Sequence, residues 1–139
     1  MSVVVILLVI HASLACAAIT LSILGVVTKT TERIRRLAGW LFATVGLQTL
    51  IGDVIYPFYL VRTKPILVTL NAGSRSVADI FDVKEHLAFF ALVLVVGLFA
   101  ITRASSKPTS LVRTIFGCAH GCIVIVTVLG AVVASMRMP

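Results

Sequence analysis

Four long apolar runs constrain this chain more than anything else in it. They extend from about Ser2 to Val27, Leu37 to Val61, Val77 to Ile101 and Leu111 to Met136. A helix needs about 20 apolar residues to cross the hydrocarbon of a bilayer, and each run is long enough to do so with some tilt. None alternates with period two, as a barrel strand would. The expected fold is therefore an all-α membrane protein, a four-transmembrane-helix up-down-up-down bundle. With their end turns the helices fall at about 2–27, 37–61, 77–103 and 110–136, and residues 1–139 form one domain. Composition agrees, since 60% of the 139 residues are hydrophobic and 12% charged, against roughly 45–50% and about 25% in a soluble domain. Disordered, disulfide-scaffold and large α/β enzyme classes are excluded. A formal charge of +7 would suggest nucleic acid in a soluble chain. In a chain of four spans it marks the headgroup regions of the lipid bilayer, and no nucleic-acid partner is expected.

The connections set the topology. Lys29, Arg33, Arg35 and Arg36 follow the first run, and Arg103, Lys107 and Arg113 surround the third connection, which makes seven basic residues on one side. Arg62, Lys64, Arg75, Lys84 and Arg137 make five on the other. The positive-inside rule puts both termini and the 62–76 loop outside, with a bacterial inner membrane as the expected location. Ser76 followed by Asp79 reads as a capping box that starts the third helix before its apolar stretch. Ser13-Leu14-Ala15-Cys16 faintly matches a lipoprotein cleavage site, but no basic segment precedes it and the apolar run continues past it, so no cleavage is expected.

Ionisable residues within a span cost about 2.5–3.5 kcal/mol on insertion scales and call for a partner or a purpose. His11, Asp53, His86 and His120 lie deepest. Counted from Ser2, Val61 and Ser76, the first three share a level roughly 12–15 Å from the outer helix ends. Helical phase groups His11 with Ala15, Ala18, Ser22 and Gly25; Asp53 with Gly46, Thr49, Tyr56 and Pro57; and His86 with Phe89, Phe90, Val93, Gly97 and Ala100. All three faces are expected to be interior.

In an up-down bundle the first and third helices are diagonal, which sets His11 against His86 across a gap wide enough for a porphyrin. Two neutral imidazoles then ligate one b-type haem, so the expected metal ligands are His11 and His86, with His120 as a lesser alternative. Arg62, Lys64 and Arg75 are candidates to pair with the propionates, Tyr56 to donate a hydrogen bond and Asp53 to complete the site. A membrane histidine also serves simply as an interhelical contact, and Asp53 can pair with either one. His120, near mid-membrane, is expected to pack or to bond Gln48 or Thr44. Lys84 and Glu85 read as solvent or headgroup contacts. Cys16, Cys118 and Cys122 read as small packing residues.

In general shape, across all four helices, the chain resembles small membrane-anchored b-type cytochromes, such as cytochrome b561-like proteins and the haem-bearing anchors of respiratory dehydrogenases. The resemblance implies an electron-transfer subunit rather than a stand-alone enzyme, with a redox partner protein or a larger membrane complex. A quinone is compatible with it, although no site for one is marked. Three histidines cannot supply two bis-histidine pairs, so the two-haem arrangement of those families is not matched. The alternative is a non-redox accessory subunit or a small proton or solute carrier, and the glycine and alanine faces also suit a homodimer.

Overall fold

The computed structural model describes residues 3–62, 65, 76–104 and 110–135. Within them lie α1 (Val3–Val27), α2 (Thr31–Arg62), α3 (Ser76–Ala104) and α4 (Ser110–Ser135). All four are long and apolar enough to cross a membrane. The third helix begins at Ser76 with Asp79 in its first turn, where the capping signal places it. The second begins at Thr31, six residues before the expected start. The basic stretch was expected to be a loop, yet Arg and Glu are good helix formers. Glu32 and Arg36 pair across one turn, and the Ile34 amide donates to the Thr30 carbonyl at 3.0 Å. Only Thr28 to Thr30 separate α1 from α2, and the Thr28 amide still reaches back to the Leu24 carbonyl.

The helices form a ring in which α1 touches α2 and α4, and α3 touches α2 and α4. Among the described residues α1 does not touch α3, nor α2 α4, so these two pairs are diagonal. Along α2 and α3 the contacts run in opposite order. Arg35 Nε donates to the Thr102 carbonyl at 2.9 Å, Phe42 stacks on Phe99 with centroids 4.8 Å apart, and Tyr56 donates to Glu85 at 3.4 Å.

Ile34, Leu41, Val95, Leu98, Val112 and Phe116 are fully buried between these ends. The small-residue stripe of α1 is the buried one, comprising Ala15, Ala18, Ser22 and Gly25. Small residues let membrane helices approach closely, because lipid is as apolar as the core and contact area must hold the bundle together. Gly25 is the extreme case: a Cβ there would stand 2.1 Å from Phe116 Cε1, so the Phe116 ring lies directly on the α1 backbone.

Candidate functional site

The bundle interior holds polar groups at three levels. At the Arg35–Thr102 end is the guanidinium link just described. At an intermediate level, on α1 and α4, the Ser22 hydroxyl donates to the Ile19 carbonyl at 2.9 Å, which leaves its oxygen to accept from His120 Nδ1 at 2.9 Å. His120 therefore bonds to α1, not to Gln48 or Thr44 on α2. Ser22 is completely buried, and Ser22→Ala removes the only acceptor shown for this imidazole. The expected loss is about 1 kcal/mol of stability, measurable by SDS-induced unfolding in mixed micelles, with an unchanged midpoint counting against the bond.

The third and richest level lies toward the Tyr56–Glu85 end. His11 is half-buried on α1 and its Nδ1 lies 3.0 Å from the Gln48 carbonyl of α2. A carbonyl only accepts, so Nδ1 carries the proton and the neutral ring keeps its lone pair on Nε2. Beside it, Gly52 leaves room: a Cβ there would lie 3.4 Å from His11 Cε1.

Lys84, half-buried on α3, lies against α4. Its Cε and Nζ lie 3.5 and 3.9 Å from where Gly130 of α4 would carry a Cβ. Glu85 is half-buried and accepts from Tyr56, whose ring stacks on that of the buried Tyr59 at 6.3 Å. Ammonium, imidazole, carboxylate and phenol thus come from three helices, while a glycine of the fourth makes space for the lysine.

This arrangement corrects the reading of α3. His86 is exposed and its Nδ1 donates to the Asp82 carbonyl of its own helix at 2.7 Å. Phe89, Phe90 and Val93, which share its face, are exposed as well. The inward face instead runs Ala88, Ala91, Val95, Leu98 and Thr102, with the half-buried Lys84 at its end, and the histidine expected inside is exposed. Lipid welcomes phenylalanine as readily as a core does, whereas close helix packing requires the smaller side chains.

Asp53 is likewise exposed, with Pro57, while Thr49 and Tyr56 are only half-buried. The interior side of α2 is Ala38, Leu41, Val45 and Tyr59. His11 and His86 therefore face different surroundings rather than a common gap. Arg62 closes α2, but its side chain, and all of Lys64 and Arg75, lie outside the described residues.

Compared with family models, curated proteins and solved structures, the chain matches none. Its chemistry must be read from the site itself. No group of three or more His, Cys, Asp or Glu able to hold a metal ion occurs among the described residues. What the third level offers is proton exchange and anion pairing: an ammonium with three donors, an imidazole nitrogen able to accept, and a phenol–carboxylate pair. Sequence reasoning gave Lys84 and Glu85 to solvent or headgroups and offered Gln48 to His120, and it placed none of them beside His11. The detectable signal was the 4-3-4-3-4 spacing of the Lys84 stripe on α3, matched on α4 by Val112, Phe116, Ala119, Ile123, Val126, Gly130 and Val133.

Proposed function

We propose that this protein is integral to a membrane, crossing it up-down-up-down with both termini and the 62–76 segment outside, and that it is a small carrier exchanging protons with an anionic solute at Lys84 and His11. The observation that carries this reading is the direction of Lys84. A lysine near a helix end ordinarily extends its ammonium toward water, but this one is half-buried and lies against Gly130 of α4. Ionisable groups that face a bundle interior mark ion paths and proton relays. The excess of basic residues in 29–36 and 103–113 supports the orientation. The other half of the interior is not purely apolar either, since Ser22–His120 and Arg35–Thr102 continue the polar sequence. Leu41, Val95, Leu98 and Phe116 separate these levels and act as the closed side of a site that opens one way at a time.

Reconstitution into liposomes containing a pH-sensitive dye tests the proposal. An imposed gradient of a small inorganic or carboxylate anion is expected to drive proton uptake, and rates no higher than those of empty liposomes across the panel would sink it.

A b-type haem with His11 as an axial ligand, in an electron-transfer subunit, is the second reading. It is favoured by the Nδ1 bond to the Gln48 carbonyl, the arrangement that orients a ligating imidazole and frees Nε2. Protein purified from haem-supplied cells then shows a Soret band that shifts on reduction. His11→Ala abolishes the band and His86→Ala leaves it, whereas colourless wild-type protein rejects haem.

A further inference from the structure

At the Arg35–Thr102 end, an open cleft of about 320 Å³ is lined by the half-buried Arg35 and the exposed Glu32, Arg36 and Arg103. Three guanidiniums face one carboxylate, and that carboxylate is engaged by Arg36. Two of the guanidiniums are held in place. Arg35 is tied through Nε to the Thr102 carbonyl, and Arg103 sits 4.9 Å above the Phe99 ring, itself stacked on Phe42. The start of α2 supplies Glu32, Arg35 and Arg36 to the same wall, near the positive end of its dipole.

A fixed planar guanidinium matches phosphate oxygens with two parallel bonds. Basic pockets between transmembrane helices at the cytoplasmic surface are suited to anionic headgroups. We infer that the cavity between Arg35, Arg36 and Arg103 binds a phosphate-bearing anion, either the headgroup of an anionic phospholipid or free phosphate. Scattered basic residues would attract such lipids without a site. Lys29 and Arg33, both exposed and not among the cavity's lining residues, provide the comparison.

Trp40 is the single tryptophan of the chain, 67% exposed and one helical turn beyond Arg36. Its fluorescence in nanodiscs, quenched by brominated phosphatidylglycerol or brominated phosphatidylcholine, reports lipid beside the cavity. Wild-type protein is expected to prefer the anionic lipid by about fivefold or more, the effect of a single well-placed arginine. Arg103→Gln, which leaves the Arg35–Thr102 bond intact, lowers the preference, and Arg35→Gln with Arg103→Gln removes it. Lys29→Gln with Arg33→Gln retains it. A wild-type preference for the anionic lipid identifies the lipid headgroup as the occupant. Equal quenching by the two lipids, with a change of Trp40 fluorescence on adding inorganic phosphate that Arg35→Gln with Arg103→Gln removes, identifies free phosphate. Equal quenching with no response to phosphate, or an equal loss in the Lys29/Arg33 variant, overturns the site.

Discussion

Gly25→Ala is expected to destabilise the bundle by about 1–3 kcal/mol, the range for overpacking a filled core, although alanine is the better helix former by about 1 kcal/mol. The new methyl carbon would stand 2.1, 2.3 and 2.6 Å from three carbons of the Phe116 ring. That ring is completely buried and has no open space to swing into, so α1 and α4 must separate. Phe116→Ala alone removes a buried aromatic ring and is expected to cost about 3–5 kcal/mol. Combining the two reverses the sign of the glycine effect. With the ring gone the methyl group enters vacated space, and Gly25→Ala then stabilises relative to Phe116→Ala by up to about 1 kcal/mol through helix propensity. A double-mutant cycle by SDS unfolding in mixed micelles reads this coupling directly. A neutral Gly25→Ala in the wild-type background would mean that the ring does not rest on the α1 backbone.

This contact also shows which features were legible in the sequence. Helix number followed from run length alone, because bilayer thickness imposes a minimum span. The inward face of α1 was legible because Ala15, Ala18, Ser22 and Gly25 are small, and small residues have a packing role only where another helix approaches. The face of α3 was not. A soluble helix declares its interior by being apolar there, but Phe89 and Phe90 are apolar and face outward. Assigning interior positions to whatever polar residue shared a depth chose His86 over Lys84. The better discriminator is side-chain size along the stripe, with Ala88, Ala91 and Val95 leading back to Lys84. The α2 start was missed for a related reason: charge was equated with loop, whereas Glu32 and Arg36 lie on a helix extending beyond the apolar run.

Lys84→Met is expected to separate stability from function. Methionine has nearly the same length without the charge, so it fills the space beside Gly130 while removing an ammonium from the bundle interior. Lys84 is only half-buried, and interactions of partly exposed charges contribute little to stability, so the unfolding midpoint should shift by no more than the equivalent of about 1 kcal/mol. Anion-driven proton uptake should fall about tenfold or more, corresponding to about 1.5 kcal/mol for a lost hydrogen bond from a charged group. Gly130 provides an independent check that leaves the lysine in place. A Cβ there would meet Lys84 Cε at 3.5 Å, ordinary contact, so Gly130→Ala should transport like wild type. Gly130→Leu should displace the ammonium and transport like Lys84→Met. If uptake survives in Lys84→Met while its stability is unchanged, the inward lysine has no part in transport. If uptake is lost in Gly130→Ala as well, the effect belongs to helix packing and not to the position of the charge.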